Sequence, residues 1–257
     1  MTAGADAHAV GGAGSDDHAP MLVVSAHAGD FVWRAGGAMA LAAARGALVT
    51  VICLSFGERG ESARAWRDGR LLDEIKAIRR DEATKAADVL GASIEFLDAG
   101  DYPLLESAEL VDQLVRCFRR IDPAVVLTHP LADPYNPDHP AAARMTIQAR
   151  VLAQAAGYDA PGEPLGAPPV YLFEPHQPEQ CDFKPQVLLD ITGVFAVKRR
   201  AMECLVAQQH MWDYYTDLAR RRGVQLRRNA GPNLGFAHDT MAEAYMRVYP
   251  QVTDILR

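Results

Sequence analysis

Cysteine is scarce in this 257-residue chain: Cys53, Cys117, Cys181 and Cys204 are the four, and none falls in a CxxC pair. That argues against structural zinc on thiolates and against a disulfide framework, and it makes a reducing cytoplasm the expected setting. Excess basic charge is also lacking. Lys and Arg number 26 against 33 Asp and Glu, a formal net charge of −7, which speaks against a general nucleic-acid-binding role. No apolar run approaches the ~20 residues that a membrane span requires. The first 20 residues, MTAGADAHAVGGAGSDDHAP, have neither a basic start nor an apolar core, so they do not read as a signal peptide. Their Gly, Ala and Asp content predicts a disordered tail, which leaves residues 21–257 as the folded part.

What the chain does contain is alternation. Apolar runs at Met21–Ser25, Val49–Leu54, Ile94–Leu97 and Val125–Thr128 predict buried strands. Between them Ala35–Arg45, Leu71–Leu90 and Ala108–Ile121 carry helical spacing and end at Gly46, Gly91 and Asp122-Pro123. Further on, Ala141–Ala156 reads as a helix, Val170–Phe173 and Val187–Ile191 as strands, and Val194–Asp217 as one long amphipathic helix. There is no internal repeat and no second-domain boundary. The expected fold is a single α/β domain, a Rossmann-like mostly parallel sheet with helices on both faces.

In such sheets ligands collect beyond the carboxyl ends of the strands. Here those ends are Ala26–Asp30, Ser55–Glu61, Asp98–Asp101 and His129–His139, all rich in His, Asp, Glu and Gly. A catalytic zinc takes three protein ligands and leaves a position for water or substrate. His27 and Asp30 can supply two from one loop. A neighbouring strand end offers the third: His139, or His129, which could instead sit behind the ligands.

The segment SAHAGDFVWRAGGAMALAAARG, followed by VTVICLSFGERGES, resembles the PIG-L-like (LmbE-like) zinc deacetylase superfamily, which opens with a strand, AHPDDE and a Gly-Gly helix start. Asn136-Pro137-Asp138-His139 is similar to its later HPDH motif, IRRDEATKAADVLG to its R-x-x-E helix, and Asp190–His210 to its terminal helix. The resemblance implies one zinc ion per chain on His27, Asp30 and His139, and an arginine near substrate at Arg79.

Two positions depart from the family pattern. The general base of AHPDDE falls on Gly29, and the first His of HPDH on Asn136. A deacetylase needs that carboxylate to move protons, and glycine cannot supply it. The segments CLSFGERGESA, HPLADPYNPDHPAAAR and YLFEPHQPEQCDFKP look like a hydratase branch of the superfamily, the 4-oxalomesaconate hydratases. That resemblance implies water addition to a small anionic polycarboxylate. Glu58 and His176 are then the expected proton carriers, with Arg59, Arg79 and Asn136 binding substrate, while Arg64 and Arg67 read as a solvated helix face. A homo-oligomer is expected. The alternatives are a zinc N-deacetylase with its base elsewhere and a metal-binding protein without catalysis.

Overall fold

Strand β1 (Met21–Ser25) buries both of its faces, and it does so by period-two alternation. Leu22 and Val24 enter one core with helices α4 (Ala108–Ile121) and α5 (Asp138–Ala153). Val23, pointing the other way, enters a second core with α1 (Asp30–Ala44), α3 (Leu72–Leu90) and α6 (Phe195–Glu203). A strand covered on both sides is the mark of a parallel sheet with helical layers. The computed structural model describes residues 18–231 and 235–253, so most of the expected tail, residues 1–17, lies outside the described residues.

The sheet has seven strands in the order β3-β2-β1-β4-β5-β7-β6. Beyond β1 these are β2 (Val49–Cys53), β3 (Ser93–Phe96), β4 (Val125–Thr128), β5 (Val170–Phe173), β6 (Val187–Asp190) and β7 (Ala242–Arg247). The first five in that order run parallel, and β7 pairs antiparallel with both β5 and β6. The sheet is therefore mostly parallel with helices on both faces, as the sequence predicts. Helix ends follow local chemistry: Gly46 and Gly91 take positive φ of 85° and 74°, and the Ser107 hydroxyl accepts the Leu110 amide to start α4. No helix among the described residues is long and apolar enough to cross a membrane.

Two expectations need correction, and one strand was not anticipated. Helix α1 begins at Asp30, not Ala35, which puts the carboxylate on its first turn. The predicted long helix over Val194–Asp217 is two, α6 and α7 (Met211–Ala230). Glu82 captures the Ala207 amide at 2.8 Å in the segment between them. Strand β7 carries too little β-branched character to be read from sequence.

Helix α1 is also spliced by an ion pair. In a regular helix the amides of residues 37 and 38 donate to the carbonyls of 33 and 34. Within α1 the Gly37 and Ala38 amides donate to the two oxygens of Glu243 on β7, at 2.7 and 2.8 Å. Lys198 on α6 donates to the Trp33 carbonyl at 2.8 Å and closes the circuit on Glu243 at 2.7 Å. Glycine is needed at 37, because a Cβ there would lie 2.6 Å from Ile191 and 2.9 Å from Glu243.

Candidate active site

The strand order reverses between β1 and β4, the place where open α/β sheets bind ligands. The loop after β1 turns tightly there: the Asp30 carboxylate accepts the His27 amide at 3.0 Å, which folds both side chains to one side. His27, Asp30 and His139 are buried, and each offers one ligand atom within 4.8 Å of the others. Asp138 accepts from His27 Nε2 at 3.1 Å, leaving Nδ1 toward Asp30. Asp133 pairs with His139 Nδ1 at 2.7 Å, leaving Nε2 buried without a hydrogen-bond partner, 3.5 Å from Asp30.

This arrangement fits a divalent ion. Both imidazoles are held on the outer nitrogen by a carboxylate, as in metal sites, and turn the other nitrogen inward. The charge balance agrees. Burial opposes a proton on His27, yet Glu61, Asp138 and Asp30 outweigh it and raise its pKa well above the ordinary value. Burial likewise opposes the charge of Asp30, but His139 above all holds its pKa well down. A cluster that draws a proton onto a buried ring is one that wants positive charge. His129 is no competitor for the ligand position, because its Nε2 accepts the Ala26 amide at 2.9 Å. Burial, then His139, keep it neutral, and its ring stacks on His139 at 4.2 Å between centroids.

A cavity of about 500 Å³ opens over this cluster, a volume suited to a small metabolite. Glu61, absent from the expected site, forms part of its wall. Its Oε1 lies 3.5 Å from His27 Nδ1 and its Oε2 accepts from Arg79 at 3.2 Å. Burial and the neighbouring Asp30 raise its pKa. Glu58 is not among the lining residues; its Oε2 accepts the Phe56 amide at 3.1 Å, and Lys76 stands 4.0 Å away. The two carboxylates lie three residues apart in GERGE, and nothing in the sequence tells which one the turn aims at the metal loop.

The other expected residues divide. His176 lines the cavity and shares a hydrogen bond with Tyr215 through Nδ1 at 3.1 Å. Partial burial, then Arg34, lower its pKa, an effect tempered by its open side toward solvent. Asn136 also lines the wall, with its Oδ1 accepting the Asp138 amide at 3.1 Å. Arg79 is fully buried and committed to four contacts, with Glu82, Gln208, Glu61 and the Phe56 carbonyl, so it braces Glu61 and does not meet the cavity. Arg59 is half-exposed and held on Asp101, also outside the wall. Arg64 and Arg67, read from sequence as a solvated helix face, do line it, as does His210. Cys181 is buried despite its loop position.

Gly29 shows what became of the missing base. A Cβ at 29 would lie 2.6 Å from Gln208 Oε1, 2.7 Å from Trp33 Nε1 and 3.3 Å from Arg79 Nη2. The space beside the metal cluster that a carboxylate would need is filled by other side chains.

Comparison with known proteins agrees with this geometry. The family model PIG-L, GlcNAc-PI de-N-acetylase, matches residues 22–150. The 4-oxalmesaconate hydratase of Pseudomonas putida KT2440 is 52% identical over 237 residues, 91% of each chain. The crystal structure of the 4-carboxy-2-hydroxymuconate hydratase from the same strain superposes with a TM-score of 0.89 at 50% identity, covering 93% of this chain and all of that one. A 1D-myo-inositol 2-acetamido-2-deoxy-alpha-D-glucopyranoside deacetylase of Rhodococcus erythropolis is 30% identical, with 73% of this chain and 80% of that one covered. With its motifs, sheet order and full-length relatives in accord, the chain belongs to the PIG-L family.

Proposed function

We propose that this protein is a zinc-dependent hydro-lyase that adds water to 4-oxalomesaconate, the tautomer of 4-carboxy-2-hydroxymuconate, to give 4-carboxy-4-hydroxy-2-oxoadipate in gallate and protocatechuate 4,5-cleavage degradation. The observation that carries the reading is the filled space at Gly29: the position of the deacetylase base is taken by Trp33 and Gln208, while the three metal ligands are retained. Full-length likeness to hydratases supports the same choice.

His27, Asp30 and His139 would hold one zinc ion, which supplies Lewis-acid stabilisation of negative charge on a substrate oxygen. The remaining chemistry belongs to the chain. Hydration breaks one O–H bond of water and forms a C–O bond to the conjugated alkene. The π electrons move onto the enolate oxygen, and a proton returns to the adjacent carbon. Glu61, with its raised pKa beside the metal loop, takes the proton from water. His176 acts on the developing negative charge: in the tautomer where Nδ1 accepts from Tyr215, the neutral ring presents Nε2–H to the enolate. Asn136 lies on the same wall as a substrate contact. Four free cysteines support a reducing cytoplasmic setting, and a homo-oligomer belongs to the same reading.

The test is an ultraviolet assay of the zinc-loaded protein on 4-oxalomesaconate, run beside N-acetylglucosamine derivatives. Loss of the conjugated absorbance with no amine release is the expected result. Amine release without hydration would overturn the proposal.

A further inference from the structure

We propose that Arg64 and Arg67 form a carboxylate-reading rim on the cavity that selects tricarboxylates over dicarboxylates. The inference rests on the polycarboxylate substrate proposed above and adds the residues that count its charges.

Both arginines lie on α2 (Ala63–Arg67), a helix of five residues with no buried side chain. Two anchors nonetheless fix its orientation: the Trp66 indole donates to the Glu58 carbonyl at 2.7 Å, and the Ser62 hydroxyl to the Gly57 carbonyl at 3.0 Å. Residues three apart share a helix face, whereas residue 66 lies opposite 64. Pinning Trp66 to the underlying loop therefore turns Arg64 and Arg67 together toward the cavity that they line.

The positive charges nearby are otherwise committed. Arg79 is spent on four partners, Arg59 on Asp101, Lys76 on Asp98 at 2.6 Å, and Arg34 is buried beside Asp30. Among the described residues lining the cavity, Arg64 and Arg67 are the only Arg or Lys. Arg64 faces Asp68 at 3.9 Å with both side chains largely exposed, a pairing worth little, and Arg67 has no ion pair among the described residues. The cavity is thus polarised. Its lining holds Glu61 and Asp133, with Asp30 close behind His139, which suits a cation, and it also holds two guanidinium groups with no strong partner. A ligand with one end on the metal floor would have its remaining carboxylates met by planar donors built for bidentate pairing.

Binding of propane-1,2,3-tricarboxylate and of glutarate, which lacks the central carboxylate, to the zinc-loaded full chain tests this by calorimetry. The wild type should prefer the tricarboxylate at least about 10-fold. Arg64→Ala and Arg67→Ala should each weaken that ligand by about 10- to 100-fold, as loss of a charged hydrogen bond does, and the double variant should weaken it at least about 10-fold more than glutarate, whose one remaining carboxylate can engage only one of the two. Arg67→Lys should recover part of the loss. In turnover the alanine variants should raise KM with kcat within about threefold. A double variant that keeps the tricarboxylate preference, or that loses both ligands equally, overturns the proposal. Should the wild type fail to hydrate 4-oxalomesaconate while the binding preference still collapses in the variants, the hydratase reading falls and the rim stands.

Discussion

Asp138 accepts from His27 Nε2 at 3.1 Å, and it is the residue immediately before His139. One motif would therefore contribute a metal ligand and also orient the one offered by another strand's loop. The same carboxylate accepts the Tyr102 and Leu104 amides, each at 2.9 Å, so its own position is fixed.

Replacing Asp138 by Asn keeps the shape and removes the charge that holds the His27 tautomer. Metal affinity should fall by about 10- to 100-fold, read by competition with a chromophoric chelator. Unchanged affinity would show that His27 needs no such support.

Glu61→Gln should lower kcat by at least about 100-fold with metal content intact, because a positioned acid or base contributes about 100- to 10,000-fold. Glu58→Gln should stay within a few-fold, since that side chain does not reach the cavity. The raised pKa of Glu61 also sets a sign. The base must be ionised, so kcat/KM should fall as pH drops through a value above the ordinary carboxylate range. The reverse ranking of the two variants would restore Glu58 as the proton carrier.

Gly29→Asp should lose hydration and lower the melting temperature, because the new side chain enters space held by Gln208 and Trp33. It should gain no deacetylase activity while those two residues stay. Efficient amide hydrolysis by this variant would mean the site adapts more readily than its packing indicates.

His129 gives a stability test. Its folded pKa is lowered well below 6.5 by burial, then by His139, while the unfolded chain keeps the ordinary value. Below about pH 6.5 the unfolded state binds the extra proton, so stability falls as pH falls, by up to about 1.4 kcal/mol per pH unit. His27, with its raised pKa, acts in the opposite sense. The comparison is therefore between wild type and His129→Asn: the variant's unfolding free energy should decline less steeply between pH 6.5 and 5. Parallel curves would show that His129 titrates normally.

Much of this was legible in the chain. The apolar run at Met21–Ser25 and the Gly stops at 46 and 91 marked a strand and two helix ends correctly. His27, Asp30 and His139 converge as the motifs implied. What failed was side-chain direction on one loop. Residues 58, 59, 61, 64 and 67 mix both signs of charge within ten positions, and local spacing is silent about which of them the turn aims inward. Tertiary anchors decide it: Trp66 on the Glu58 carbonyl, Arg79 on Glu61. The division of α6 from α7 was hidden for the same reason, since its cause is Glu82, about 120 residues earlier in the chain.

The spliced turn of α1 bears on the order in which the protein is made. Its metal loop leaves the ribosome among the earliest described residues, but Glu243, which holds the Gly37 and Ala38 amides, is among the last. At about 5–20 residues per second the gap is roughly 10 to 40 s. Until β7 arrives, Asp30 stands on a helix whose middle rungs have no partner from that strand. Metal capture is thus expected to report completion of the chain, and ribosome-bound chains stalled before residue 240 should retain little zinc by elemental analysis.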